Sequence, residues 1–213
     1  MSLFPIFLKL AARPCLVIGA GNLAESKIES LQQANARVTV IAPKTTPRIA
    51  FLAAAGEIDW KERTYIAGDL TGQFLVVAAT SSTAVHEEIY AEARKRGVLC
   101  NIVDVPHLCD FFYPAIVRRG ALQIAISTAG ESPALSQRLR KELEKQFGPE
   151  YEPWLETIGQ ARAELATRDL TAEDRKEILH ELASREFFER YRDELHRRLK
   201  EQNESQEKKE KEN

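Results

Sequence analysis

The 213-residue sequence has no apolar run near the roughly 20 residues that a membrane-spanning helix needs. Its apolar N-terminus has no preceding basic region and no small-residue cleavage site, so we expect no signal peptide. A net charge of −2 gives no electrostatic reason to expect binding to nucleic acid. The three cysteines are widely spaced and do not suggest a disulfide framework, which favours a cytoplasmic protein.

The sequence also lacks the short motifs of hydrolases and zinc proteases, G-x-S-x-G and H-E-x-x-H. The segment His107-Leu108-Cys109-Asp110 has residue types that bind metals, but no second paired motif accompanies it. We therefore predict no permanent metal site. His86 falls within a predicted helix and is expected to be partly exposed there.

Short apolar strands alternate with helical stretches through the first half of the chain. Near-continuous apolar strands are typical of a parallel sheet that is buried on both faces. The sequence therefore predicts an α/β fold with a Rossmann-like, doubly wound parallel sheet. Strands are predicted at 15–18, 37–42, within 58–65, 74–79 and 98–103, and helices at 22–34, 49–55 and 83–96.

This alternation ends after residue 110. Two strands around Arg118-Arg119-Gly120 predict a β-hairpin, and Ser132-Pro133 opens a helix that runs to about Phe147. A small all-helical region should follow, with helices over 153–167, 172–184 and 185–201. The polar tail after these helices has no apolar residue and is predicted to be disordered.

Residues 19–24 form a G-x-G-x-x-A turn between the first predicted strand and helix. Glycines in this place permit a tight turn and the close approach of a pyrophosphate to the helix N-terminus. A plain turn with glycines for packing is the alternative. The acidic residue that would hold the ribose of NAD is missing after the second strand, where Lys44 and Arg48 are either a sign of NADP or solvated charges.

Asp104 ends the fifth predicted strand, at the edge of a parallel sheet where ligands bind. It is either a general base or a cap for the turn that follows. The loop 126–133 places hydroxyl groups and free N–H groups before a helix, and Arg138, Arg140 and Lys141 follow. This loop is either an anion site or a well-capped helix with a solvated basic face.

Five segments resemble, in the same order, blocks of the precorrin-2 dehydrogenases of sirohaem synthesis: LVIGAGNLAESK, RVTVIAP, VVAAT, CNIVDVP and ALQIAISTAGESPALSQRLRKELE. The resemblance covers about residues 3–148. It implies an NAD-binding Rossmann domain (1–112), a dimerisation region (113–148) and a helical domain (149–201). The disordered polar tail (202–213) is predicted from composition alone. The implied reaction oxidises precorrin-2 to sirohydrochlorin, with NAD+ taking a hydride and a base taking a proton.

The resemblance also implies roles for individual residues. The essential aspartate of the family matches Asp104, and a phosphoserine of some members falls at Thr128. We expect the dinucleotide to contact Gly19, Gly21, Asn22, Leu23, Pro43, Lys44 and Thr80. We expect the carboxylates of the substrate to be held by Ser127, Thr128, Gly130, Ser132, Arg118 and Arg138.

Several partners follow from the same resemblance. We expect NAD as cofactor, precorrin-2 as substrate and a homodimer formed through the hairpin around residues 111–127. Some relatives also insert Fe²⁺, so Fe²⁺ is either a second substrate here or not used. The alternative to an enzyme is a non-catalytic nucleotide-sensing or adaptor Rossmann module.

Overall fold

The computed structural model describes residues 3–211, with side chains for residues 3–206, and divides into two compact units. The first unit is Leu3–Tyr113 and the second begins at Pro114. Within the described range, none of the helices combines the length and apolar character needed to cross a bilayer.

The first unit is a five-stranded parallel sheet of order β3-β2-β1-β4-β5 with helices between the strands. This confirms the predicted Rossmann-like fold. The strands are β1 (Pro14–Ile18), β2 (Arg37–Ile41), β3 (Asp59–Lys61), β4 (Leu75–Ala78) and β5 (Leu99–Ile102), and the helices are α1 (Asn22–Gln33), α2 (Pro47–Ala54) and α3 (Thr83–Arg96).

Alternate residues of each central strand pack against opposite layers, which explains why the strands read as continuous apolar runs. On β1, Val17 joins the cluster that contains Ile28 of α1, whereas Leu16 joins the cluster that contains Ile89 of α3. All four residues of β4 are buried. The sheet therefore has no solvent face at its centre, and its functional side chains must come from the strand ends.

The strand order places β1 between β2 and β4. From β1 the chain adds β2 and β3 on one side of the sheet, and then β4 and β5 on the other side. Ligands of open α/β sheets bind outside the carboxyl ends of the strands at such a switch point. Gly19 follows β1 directly and Ala79 follows β4, so these two residues lie at the switch point.

The second unit begins with a two-stranded antiparallel hairpin of β6 (Ala115–Arg119) and β7 (Leu122–Ile126), in agreement with the predicted hairpin. The guanidinium of Arg119, at the end of β6, donates to the carbonyl oxygens of Glu144 (2.9 Å) and Phe147 (2.7 Å). It thereby caps the helix that follows. The helices are α4 (Pro133–Gln146), α5 (Tyr151–Ala166), α6 (Ala172–Leu182) and α7 (Arg185–Lys211).

Helix α7 continues through residues for which composition predicts disorder. It ends at Lys211, and every side chain described from 201 to 206 is exposed. Glu, Gln and Lys are good helix formers, so local propensity favours the helix here although no burial supports it. The last two residues of the predicted tail, 212–213, lie outside the described range.

A largely buried carboxylate, Glu92 of α3, joins that helix to the loop after β3. It accepts hydrogen bonds from the Tyr65 hydroxyl (2.5 Å), the Gly68 N–H (3.0 Å) and Arg96 Nε (2.6 Å). Burial alone would raise the pKa of Glu92, but these donors outweigh it and the pKa is lowered from 4.5. Because the folded pKa is depressed, the stability it contributes is present above the unfolded pKa and is lost as pH falls.

We predict that Glu92→Gln lowers the free energy of unfolding at pH 7 by about 1–3 kcal/mol, because it removes charge-assisted hydrogen bonds. The difference from the wild type should shrink as pH falls below about 4.5, measured by urea unfolding at several pH values. Glu87→Gln is the control, since that side chain is exposed on the same helix. If Glu92→Gln lowers the free energy of unfolding equally at about pH 3 and pH 7, the carboxylate does not contribute through its charged form.

Candidate functional site

Gly19 brings the ends of β1 and β4 together. Its φ is +100°, and its N–H donates to the carbonyl oxygen of Ile41 at 2.9 Å. A Cβ added at Gly19 would lie 2.5 Å from the carbonyl oxygen of Ala79. Only glycine combines this backbone conformation with this close approach, so the first glycine of the turn is required by the fold itself.

Gly21 is different, because no packing within the described protein requires it. Its φ of −86° is open to any residue, and no described atom lies within 4 Å of an added Cβ. It occupies the N-cap of α1 without any side-chain cap for the helix N-terminus. The turn therefore leaves space and free N–H groups beside a positive helix end, which fits the pyrophosphate of a dinucleotide.

Thr80, which follows β4, supplies a polar atom in need of a partner at this edge. Its Oγ1 is buried and has no hydrogen-bond partner within the described residues. Its carbonyl oxygen lies 2.9 Å from His86 Nε2, which must donate there because a carbonyl only accepts. A buried hydroxyl without a partner is costly, so Thr80 Oγ1 fits a ligand's polar group.

His86 is buried, with 7% of its surface exposed, so the prediction of a partly exposed helical residue was wrong. The burial follows from its hydrogen bond to Thr80, which draws the ring toward the strand end. His86 thus holds the backbone of the segment that presents Thr80 Oγ1. No sequence pattern indicates this contact, because it depends on how the turn before α3 folds.

Pro43 and Lys44 follow β2 at the same edge of the sheet, and both are exposed. The indole of Trp60 donates to the carbonyl oxygen of Ala42 at 3.0 Å, which fixes the end of the strand. Thr46 then caps α2 by accepting from the Ile49 N–H. Pro43 and Lys44, two of the predicted cofactor contacts, therefore lie at the carboxyl edge and do not take part in the packing of the sheet.

Asp104 lies just beyond β5 and is exposed, with a left-handed φ of +62° that aspartate tolerates better than most residues. Across residues 3–206, its carboxylate accepts no hydrogen bond and forms no ion pair of 4 Å or less. The alternative role as a cap for the following turn is therefore not seen. The carboxylate is free to accept a proton at the carboxyl edge.

The chain around Asp104 is fixed by its neighbours instead. The Asn101 amide donates to the carbonyl oxygen of Phe111 at 2.7 Å, and the Cys100 N–H donates to Asp110 Oδ2 at 3.1 Å. Cys109 Sγ donates to the carbonyl oxygen of Ile102 at 3.2 Å. The cysteine and aspartate of the segment 107–110 are thus engaged in holding the loop after β5.

Sequence reasoning missed two further residues of the first unit, Lys27 and Tyr113, as candidate site residues. Lys27 Nζ lies 4.0 Å from the centroid of the Tyr113 ring, at cation–π distance. Burial lowers the pKa of Lys27, and the negative charge of Asp104 partly opposes this. The available signal was the position of Lys27 among the buried residues of α1, directly before Ile28, where an ordinary surface lysine is not expected.

The predicted substrate loop of the second unit is held together by its own hydroxyl groups. Thr128 Oγ1 accepts from the Ser132 N–H (3.2 Å) and lies 3.2 Å from Ser136 Oγ. Ser127 Oγ accepts from the Ala129 N–H, and Ser132 Oγ caps α4 by accepting from Leu135. These hydroxyl groups give the loop a fixed shape, so the groups best able to meet a ligand are backbone N–H groups.

The two predicted arginines of this unit lie apart from the loop or are already paired. Arg118 pairs with Gln123 in the hairpin, three positions along β7 from Ile126, or roughly 10 Å from the start of the loop. Arg138 is exposed on α4 and forms an ion pair with Glu142 at 3.2 Å. The structure therefore does not gather Arg118 with the loop residues.

Comparison with known proteins gives two family matches along the chain. Residues 6–115 match the family described as "Putative NAD(P)-binding", and residues 119–146 match the central segment of sirohaem biosynthesis proteins. The first match covers the whole parallel sheet with its carboxyl edge, and the second covers β7 and α4.

Individual relatives agree with this assignment. Siroheme synthase 1 of Aeromonas salmonicida is 36% identical over 184 residues, covering 86% of this chain and 39% of that protein. Siroheme synthase of Methylococcus capsulatus is 38% identical over 194 residues, covering 89% and 38%. The chain thus spans about two fifths of the length of these curated relatives.

A solved structure described as SirC, precorrin-2 dehydrogenase, superposes with a TM-score of 0.76 at 25% identity, covering 92% of this chain and 100% of that one. The likeness extends through both units, including the helices after the hairpin. Together with the open glycine turn and the matched range 6–115, these findings show that the chain belongs to the NAD(P)-binding family found in sirohaem biosynthesis proteins.

Proposed function

We propose that the chain is an NAD-dependent dehydrogenase that oxidises precorrin-2 to sirohydrochlorin in sirohaem synthesis. The observation that carries the proposal is an unbonded carboxylate, Asp104, at the same sheet edge as the open turn at Gly21. The SirC likeness and the siroheme synthase relatives support this substrate and reaction. Three free thiols, with no disulfide, are in keeping with work in the reducing cytoplasm.

The dinucleotide would lie across the carboxyl edge of the sheet. The N-terminal N–H groups of α1, at Asn22 and Leu23, would hold the pyrophosphate, and Gly19 and Gly21 give it room. The exposed side chain of Leu23 offers apolar contact. Pro43, Lys44 and Thr80 would complete the contacts with the dinucleotide that the family resemblance implies. Bound NAD+ supplies the hydride acceptor.

Asp104 would take the proton that the substrate loses when the hydride leaves. The balance is one hydride and one proton removed from precorrin-2 for each NAD+ reduced. Asp104 can perform this because its carboxylate is exposed and is not engaged by any other described side chain. The hydrogen bonds of Asn101 and Asp110 keep the loop in place, so positioning of the base does not depend on the substrate.

The substrate carries many carboxylates, and we propose that the loop of the second unit binds some of them. Ser127, Thr128, Gly130 and Ser132 would contribute mainly through the backbone, because their hydroxyl groups are largely engaged within the loop. Arg118 and Arg138 remain proposed contacts through their charge. An Fe²⁺ ion as a second substrate is a further part of the proposal, with the same aspartate accepting the pyrrole protons.

We also propose a homodimer. Within the described residues, the hairpin is a sheet of only two strands, so each strand leaves one edge unpaired. Two-stranded sheets are marginal alone, and free edges favour pairing with another chain. In the first unit, Phe4, Ile6 and Phe7 are exposed apolar side chains that a second copy could also cover.

We predict that Gly21→Ala folds normally but weakens NAD+ binding by roughly tenfold or more, because its Cβ enters the space of the pyrophosphate. Binding is measured by titration calorimetry and folding by the melting temperature. Gly159→Ala in α5 is the control, since an added Cβ there also meets no described atom within 4 Å. Unchanged NAD+ affinity in Gly21→Ala would exclude the turn as the cofactor site.

We predict that Asp104→Asn reduces precorrin-2 oxidation by about 10²–10⁴-fold, the range for loss of a general base, while NAD+ affinity is unchanged. Asparagine is chosen because it tolerates the left-handed backbone. The assay is anaerobic, follows sirohydrochlorin, and is repeated with Fe²⁺ to detect chelation. Asp59→Asn is the control. Normal turnover in Asp104→Asn would favour a non-catalytic nucleotide sensor or adaptor.

Light scattering at micromolar concentration should give twice the 24.0 kDa mass of one chain. The physical reason is that free strand edges and exposed apolar side chains favour association with another chain. The measurement is made with and without NAD+, so that an effect of the cofactor is visible. A mass of one chain under both conditions would contradict the dimer.

A further inference from the structure

The side-chain ammonium group of Lys27 has no ionic partner among the described residues. Lys27 lies four residues beyond Leu23, about 6 Å further along α1 from the helix N-terminus. The side chain is half-buried, and Nζ stands over the Tyr113 ring. Across residues 3–206, no carboxylate lies within 4 Å of Nζ.

The surroundings of this ammonium favour an anion from outside the chain. Burial removes part of its water, which is the larger influence and lowers the pKa of Lys27, whereas the charge of Asp104 acts in the opposite direction. Val103, directly before Asp104, packs against the apolar cluster that contains Ile28, directly after Lys27. The two charged side chains therefore extend from neighbouring parts of one core, yet they form no ion pair of 4 Å or less. A partly desolvated cation on an aromatic face is a favourable site for a carboxylate, which would restore the interaction that water no longer gives.

The Tyr113 ring limits where that anion can lie. The face of the ring supports the ammonium, and the Tyr113 hydroxyl is buried with no hydrogen-bond partner among the described residues. The side chain of Lys27 is therefore held on one side by the ring. Its remaining N–H donors are left for a ligand on the Asp104 side or toward solvent.

We propose that Lys27 binds one carboxylate of the tetrapyrrole substrate beside Asp104, as a specificity-determining residue. The inference rests on the proposed function, because it assumes that the reacting carbon is brought to Asp104. The dinucleotide pyrophosphate is the less favoured ligand, since the free N–H groups for it lie a full helical turn earlier, at Asn22 and Leu23. The ammonium also offsets the repulsion between Asp104 and a substrate carboxylate.

The test compares Lys27→Met, which keeps the length of the side chain, with Lys27→Arg, which keeps its charge. The KM for precorrin-2 should rise about tenfold to a hundredfold in Lys27→Met, as expected for the loss of a charge-assisted hydrogen bond. The kcat and the NAD+ affinity should change less than about threefold. Lys27→Arg should restore most of the KM, because Arg also carries a charge and stacks on aromatic rings.

Lys95→Met is the matched control, since Lys95 is an exposed lysine of α3 in the same unit. Melting temperatures verify folding, and Lys27→Gln serves as the neutral variant if Lys27→Met does not fold. An unchanged KM would overturn the inference, and so would a weaker NAD+ affinity with the KM for precorrin-2 unchanged.

The failure of the inference is distinguishable from failure of the proposed function. If the wild type does not oxidise precorrin-2, the proposed function fails, and the binding of sirohydrochlorin is then measured directly by fluorescence quenching. Weaker binding to Lys27→Met than to the wild type and Lys95→Met would still support a carboxylate site at Lys27. Equal binding to all three would reject it.

Discussion

The close approach of Gly19 to Ala79 is the constraint on which the candidate site depends. A Cβ at Gly19 would come within 2.5 Å of the Ala79 carbonyl oxygen, so the ends of β1 and β4 meet only because that atom is missing. This contact sets where α1 begins and therefore where its free N–H groups lie. It also places Thr80 beside the turn. The position of the cofactor region is thus decided by a packing requirement, and the open space at Gly21 makes it usable.

Polar groups near the sheet edge divide into those that the protein satisfies and those that it leaves open. Asn101 and Asp110 have partners that fix the loop after β5. Asp104, Lys27 and Thr80 Oγ1 have no hydrogen-bond or ion-pair partner among the described residues. Only Thr80 Oγ1 is fully buried, so its missing partner costs stability, whereas Asp104 is exposed to water. That three such groups are left open at one edge of the sheet is better explained by ligand binding than by folding.

The sequence was sufficient for the fold because local and long-range signals agree. The continuous apolar runs correspond to the strands of the parallel sheet, and the glycine turn lies between β1 and α1. Ser132-Pro133 begins α4 as predicted. The contact between Lys27 and Tyr113 could not be predicted, since 86 positions separate the residues and only the packing of α1 joins them. The burial of His86 was not predicted either, although only six positions separate it from Thr80, because the contact depends on how the turn before α3 folds. For the polar tail, the prediction of disorder followed from the lack of apolar residues. The helix seen there follows instead from the helix propensity of Glu, Gln and Lys.

The central claim is that the protein oxidises a tetrapyrrole with NAD+ at the carboxyl edge of its parallel sheet. The most direct measurement is anaerobic incubation of the wild-type chain with precorrin-2 and NAD+, following the absorbance of both sirohydrochlorin and NADH. The account predicts that the two products appear together in equal amounts and that neither forms when NAD+ is omitted. Binding of NAD+ without formation of either product would contradict it.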